Sequence, residues 1–207
     1  MEQLVADNLL QIKAIKLEPT NPFTWASGWK SPIYCDNRKI LSYPAIRKVV
    51  SRAFVEKIRS LYPDVEIIAG VATGAIAIGM LVAEEMGLPF IYVRPEAKKH
   101  GLANSIEGVY AAGQRIVVIE DLISTGGSSI KAIEALRAAE CNVLGMVAIF
   151  TYGFDVATHN FAAINCTIHT LSNYNALISR AVEKQYITQN DVAQLQEWRK
   201  NPAEWGV

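Results

Sequence analysis

Apolar residues recur along this chain with two different periods. Leu4, Val5, Leu9, Ile12 and Ile15 fall at helical spacing, which predicts a first helix over about residues 2–17, stopped by Pro19 and Pro22. Tyr43-Pro44 opens a second helix, with Pro where its missing N–H is harmless; Ile46, Val49, Val50, Ala53, Phe54 and Ile58 are its stripe. Short apolar runs then follow at residues 66–71, 90–93, 116–119, 143–150 and 166–170. Their length and β-branched content predict strands buried on both faces. The segment ending at Met86 and the stripe Ile130, Ile133, Leu136 predict helices between them. Two more helices are predicted around residues 173–182 and 189–199. Strands alternating with helices predict an α/β unit around a mostly parallel sheet with right-handed crossovers.

Composition narrows the class. The 207 residues suffice for one well-buried domain. The sequence is 51% hydrophobic and 19% charged, as in soluble globular proteins. A formal net charge of zero offers no footprint for nucleic acid. No apolar run approaches bilayer length, and the acidic N-terminus lacks the basic segment of a signal peptide, so a cytoplasmic protein is expected. Cys35, Cys141 and Cys166 are too scattered for a disulfide framework or a zinc site. His159 and His169 have no partners at metal spacing, so structural or surface roles are expected.

The stretch Ile116 to Ser129, IVVIEDLISTGGSS, carries the clearest chemistry. Two carboxylates, Glu120 and Asp121, close the predicted strand. Small hydroxyl-bearing residues and two glycines follow, and then a helix starts. Glycines let backbone N–H groups approach an anion, and a helix start adds unpaired N–H groups and a positive dipole end. That loop suits a phosphate monoester. The carboxylates suit sugar hydroxyls or a developing positive charge. Together they suggest a ribose phosphate. No G-x-x-x-x-G-K-[ST] is present and no G-x-G-x-x-G follows a strand, so the P-loop and dinucleotide fingerprints are absent.

Three other segments stand out. Residues 23–41 mix aromatics, basic residues and turns in short extended pieces, which suits a ligand-facing cover better than a core. Residues 70–74 form a small-residue turn after a strand, where backbone N–H groups can meet a pyrophosphate. Residues 94–108 have no apolar periodicity, several basic groups and a glycine at Gly101 and Gly108, the composition of a hinged loop.

V-V-I-E-D-L-I-S-T-G-G-S-S resembles the phosphoribosyl pyrophosphate (PRPP) signature of the type I phosphoribosyltransferases. R-P-E-A-K-K-H-G resembles the catalytic loop of the orotate-specific members, and F-T-W-A-S-G-W-K-S-P-I-Y-C-D-N-R resembles their N-terminal hood. The resemblance implies a type I phosphoribosyltransferase fold. Residues 1–42 would form an N-terminal helix and hood, and residues 43–207 a PRPP-binding core. It implies Glu120 and Asp121 on the ribose hydroxyls, and Leu122, Ile123, Ser124, Thr125, Gly126, Gly127 and Ser128 around the 5-phosphate. Thr73, Arg94, Lys98, Lys99 and His100 would meet the pyrophosphate, with Lys98 and His100 catalytic alongside the two acids. Tyr34, Cys35 and Ser124 would contact orotate. Mg²⁺ would bind through PRPP, and a homodimer would share its active sites. Four departures weaken the basic set. Ala26 and Thr73-Gly74 stand where family members often carry Lys, Pro95 replaces another Lys, and no Arg lies near Tyr152. A purine-type enzyme and a non-catalytic PRPP-sensing regulator remain as alternatives at this point.

Overall fold

A computed structural model of the chain describes residues 1–25, 28–95 and 105–205. The elements run α1 (Glu2–Gln11), β1 (Ile15–Leu17), β2 (Phe23–Thr24), β3 (Lys30–Ser31), β4 (Ile33–Cys35), a 3-10 turn (Asn37–Ser42), α2 (Pro44–Leu61), β5 (Ile67–Val71), α3 (Ile76–Met86), β6 (Phe90–Val93), β7 (Ile106–Glu107), β8 (Arg115–Ile123), α4 (Gly127–Ala138), β9 (Asn142–Thr151), α5 (Asp155–Ala163), β10 (Ile168–Asn173), α6 (Tyr174–Glu183) and α7 (Gln189–Lys200).

Six strands form the central sheet in the order β10-β9-β8-β5-β6-β7. All neighbours are parallel except the short edge strand β7, which runs antiparallel to β6. The sequence places β7 inside a long loop, because two residues carry no readable period. Residues 116–120 of β8 are all buried, and successive side chains face opposite cores. Val117 and Ile119 face the core that holds α1, α2, α3, α6 and α7, while Ile116 and Val118 face the one under α4 and α5. A strand sealed on both sides needs apolar residues at every position, so the run has no polar alternation.

The first predicted helix is two elements. Helix α1 ends at Gln11, and Lys13 adopts φ +53, in the left-handed region where helices commonly terminate. The chain then reverses into β1, which pairs antiparallel with β4, Ile15 opposite Cys35. Ile15 is buried as its spacing suggests, but from a strand. Three further residues are too few to tell a helical period from a strand's.

The hood is two small ladders, β1–β4 and β2–β3, fastened to the far end of the chain. Trp25 donates its ring N–H to the Ile33 carbonyl at 3.0 Å. Its ring lies 5.3 Å from Tyr152 and 5.7 Å from the fully buried Trp198 of α7. Aromatic pairs of this kind are each worth about 0.5–1.5 kcal/mol beyond area burial. Arg180 of α6 grips Asp7 of α1 through two parallel contacts of 2.7 Å, and Gln194 of α7 donates to the Pro19 carbonyl at 3.0 Å. Helix α7 starts on a reciprocal cap, with the Asp191 carboxylate accepting the Thr188 backbone N–H at 2.8 Å. Cys141 and Cys166 are buried, as plain core thiols would be. No helix among the described residues is long and apolar enough to cross a membrane.

Candidate active site

The conserved geometry of open α/β sheets puts ligands at the carboxyl ends of the strands. Here the ends of β5, β8 and β9 bring the sequence motifs together. Strand β8 runs on to Ile123, so both acids lie within it rather than just beyond it. They are not equivalent. Glu120 is 4% exposed; its carboxylate accepts the Ser129 hydroxyl at 2.7 Å and the Asp121 backbone N–H at 2.9 Å. Burial, with the neighbouring Asp121 charge, pushes the Glu120 carboxyl up to about 8. Asp121 is half-buried at the mouth, and its carboxyl is also raised by burial, against the lowering effects of Glu120 and of Arg38. Asp121 is therefore the acid at the mouth of the site, and Glu120 sits behind it, tying β8 to the first turn of α4.

Asp121 is held from two directions. Asn37, buried at the hood's edge, donates to its backbone carbonyl at 2.6 Å, and Cys35 donates in turn to Asn37 at 3.3 Å. Gly74 lies against its carboxylate: a Cβ there would sit 2.2 Å from Oδ2 and 2.7 Å from Oδ1. The turn that carries Gly74 contains a cis peptide between Ala72 and Thr73, and Thr73 itself is exposed.

The loop after β8 is a built anion cradle. Gly126, at φ +85, turns the chain into α4, and the aromatic edge of Phe161 occupies the space a side chain would need. The first α4 N–H groups precede any helical acceptor, and that of Ile130 is the first to find one, the Gly126 carbonyl at 2.9 Å. The cradle's frame is fixed from behind by Thr151 donating to the Ile123 carbonyl at 3.2 Å and Asn160 to the Thr125 carbonyl at 3.1 Å.

Three cavities converge on this loop. One of about 370 Å³ lies under the hood, lined by Thr24, Trp25, Tyr34, Cys35, Leu122, Ser124 and Tyr152. A second, about 260 Å³, is lined by Val71, Ala72, Val93, Arg94, Pro95, Ser128, Lys131 and Ala132. The largest, about 630 Å³, opens between the β9–α5 loop and α7 and reaches Thr125. Ser124, Thr125 and Ser128 thus each line a different cavity. A phosphate on the loop would have an apolar, ring-sized space on one side and a basic space on the other.

The comparisons with known proteins agree with this geometry. The sequence matches the phosphoribosyl transferase domain family over residues 36–179. A protein of Phocaeicola vulgatus named orotate phosphoribosyltransferase is 57% identical, covering 99% of this chain and 97% of its own. The chain belongs to the orotate phosphoribosyltransferase family. The crystal structure of orotate phosphoribosyltransferase from Aeropyrum pernix superposes with a TM-score of 0.76 at 27% identity, over 88% of this chain and 98% of that one. UMP synthase of Leishmania donovani reaches 0.81 at 30% identity; it matches 96% of this chain, which spans 42% of that longer protein. The fold is that of the type I phosphoribosyltransferases, a mostly parallel sheet flanked by helices.

For this family member, the structure brings Tyr34, Cys35 and Ser124 into one cavity and Arg94 and Ser128 into another. Arg94 is ion-paired with Glu107 at 3.1 Å. Ile123 is fully buried, so its side chain points into the core beneath α4 and α5, and any ligand contact would use its backbone. Glu120 offers a carboxylate already engaged by two donors. The expected contacts of Lys98, Lys99 and His100 lie outside the described residues. Sequence reasoning missed Thr24, Trp25 and Lys131 as cavity walls, and Gly74 and Asn37 as the supports of Asp121. Asn37 lies within the hood motif, but nothing in the sequence says that it is buried.

Proposed function

We infer that the chain is an orotate phosphoribosyltransferase, moving the 5-phosphoribosyl group from PRPP to orotate to give orotidine 5′-monophosphate and pyrophosphate, a step of pyrimidine biosynthesis leading to UMP. The observation that carries this reading is the junction, at Ser124, of a ring-sized cavity under the hood with a hydroxyl-and-glycine anion cradle. The names of relatives aligned over the whole length support it, against the purine-type and regulatory alternatives. In this reading, residues 1–42 select the base and residues 43–207 bind PRPP.

The chemistry follows from charge. Breaking the bond from C1 to pyrophosphate leaves positive charge on the ribose and negative charge on the leaving group. Asp121, half-buried and held by Asn37 and Gly74, faces the ribose and stabilises the cationic side. The α4 N–H groups and the Ser124, Thr125 and Ser128 hydroxyls hold the 5-phosphate. Orotate attacks C1 through ring N1, and the N1 proton leaves to water or to the departing pyrophosphate as the new bond forms.

Mg²⁺ fits this donor set as an ion carried by PRPP. It favours one or two carboxylates plus substrate phosphates and its own waters, and Asp121 is a half-exposed carboxylate of that kind. Among the described residues, no group of three His, Cys, Asp or Glu could cage a metal. When bound, the ion would offset charge on the pyrophosphate.

We further propose a cytoplasmic homodimer in which Lys98 and His100 of one subunit serve the other's site, as the family resemblance implies. Lys98→Ala and Asp121→Ala homodimers should each be nearly inactive. Co-refolded together, they should recover roughly a quarter of wild-type activity, since half the dimers carry one intact site. No recovery, with heterodimers confirmed by mass, overturns site sharing.

The reaction itself is tested by orotate absorbance. Purified protein should consume orotate only when PRPP and Mg²⁺ are present. Adenine, guanine and hypoxanthine should be neither consumed nor inhibitory. Purine turnover without orotate turnover would move the chain to the purine-type enzymes.

A further inference from the structure

Orotate carries a carboxylate on the ring carbon next to N1, ionised at neutral pH. Among the described residues, the cavity under the hood is lined by hydroxyls, aromatic faces, an aliphatic side chain and a thiol, and by no cation. An anion taken into such a space loses its hydration without replacement, which is costly unless a charged donor meets it. Among the described residues, that donor comes from just outside the lining.

Lys30 is placed to supply it. It sits in β3 directly across the ladder from Thr24. Its ammonium donates to the Thr24 Oγ1 at 2.9 Å, and Thr24 is itself a wall of the cavity. An ammonium has three donors, and this bond uses one. No carboxylate among the described residues pairs with Lys30. Two other cations among the described residues are committed elsewhere. Arg38 is paired with Asp36 at 2.7 Å, and Arg199 is spread between the Gly153 carbonyl at 3.0 Å and Asn175 at 2.8 Å. Thr24 thus holds an otherwise uncommitted charge at the cavity rim, on a flexible stem able to turn inward.

We propose that Lys30 is a specificity residue that recognises the carboxylate of the pyrimidine, with Thr24 positioning its ammonium. The assignment rests on the reading that the base is orotate.

The test compares orotate with orotamide, its uncharged counterpart of nearly the same shape, in wild type, Lys30→Met and Lys30→Arg. Lys30→Met should raise the KM for orotate about 10- to 100-fold, the range for a hydrogen bond to a charged group. The KM for PRPP should stay put, and the inhibition constant of orotamide should change less than threefold. Lys30→Arg, which keeps the charge, should recover most of the loss. Equal weakening of orotate and orotamide would mean that Lys30 only supports the hood, and an unchanged orotate KM would mean that it does nothing for the base; either overturns the assignment. Wild-type use of orotate separates the two levels. If wild type fails to use orotate, both the reading and the assignment fall. If it uses orotate and Lys30→Met keeps the same orotate-to-orotamide ratio, the assignment falls alone.

Discussion

Asp121→Asn lowers turnover by on the order of 10²-fold or more, the scale of losing one preorganised electrostatic group, and leaves the fold intact. The substitution keeps size and shape. It preserves the bond from Asn37, which goes to the backbone carbonyl, and the close approach of Gly74. What it removes is a negative charge in a half-buried place where burial already works against that charge. A structural carboxylate would be missed in stability. This one, kept against its own desolvation, should be missed in kcat, while the thermal unfolding midpoint holds or rises slightly. Turnover within a fewfold of wild type, in a variant that melts normally, would remove Asp121 from the reaction.

Gly74→Ala costs about 10²-fold in turnover by moving the same carboxylate without touching its charge. The added carbon would lie 2.2–2.7 Å from all three atoms of the Asp121 carboxylate group. Asp121's backbone is held in β8, and the turn that carries Gly74 is closed by the Ala75 N–H on the Val71 carbonyl at 3.1 Å, so the short side chain is what gives way. It must swing by roughly 1 Å, and displacements of that size near reacting atoms cost about this much. Steady-state kinetics on a variant whose unfolding transition matches wild type checks it. Unchanged kcat would show that Asp121 works equally well from another rotamer, so that its position under Gly74 is incidental.

The two variants probe the part of the site that was least legible beforehand. The strand and the turn into α4 could be read because each residue type there has one dominant use: β-branched residues seal both faces and glycines turn. The hood's texture, aromatic and small polar residues in short extended pieces, marked it as a cover and not a core, but Tyr34 and Cys35 were singled out only by the family resemblance. The inequality of Glu120 and Asp121 was not. It depends on Ser129 reaching back from the next helix, a contact set by how α4 docks and not by spacing along the chain. The steric role of Gly74 was hidden because 47 residues separate it from the carboxylate it shapes, and a glycine in a turn after a strand has an ordinary explanation already. The false extension of the first helix to Leu17 has a different cause. Ile12 and Ile15 are buried in either reading, and the signal that ends the helix is a single left-handed lysine, a residue type with no preference for that conformation.

The fastening of the hood to α6 and α7 has a consequence for how the protein comes into being. Glu2 is bonded to Ser172, Asp7 to Arg180 and Pro19 to Gln194, sequence separations of 170, 173 and 175. On a ribosome, the first helix and the hood strands emerge long before any of these partners has been made. At about 5–20 residues per second they wait about 10–30 s, their apolar faces open to whatever else is near. The loop proposed to cradle PRPP, set between β8, α4 and β9, draws on neighbours in sequence and can close during synthesis. The cavity under the hood, backed by Trp198, can close only once α7 has left the exit tunnel. On the proposed reading, a chain released early would carry a phosphate site and no means of choosing what to attach.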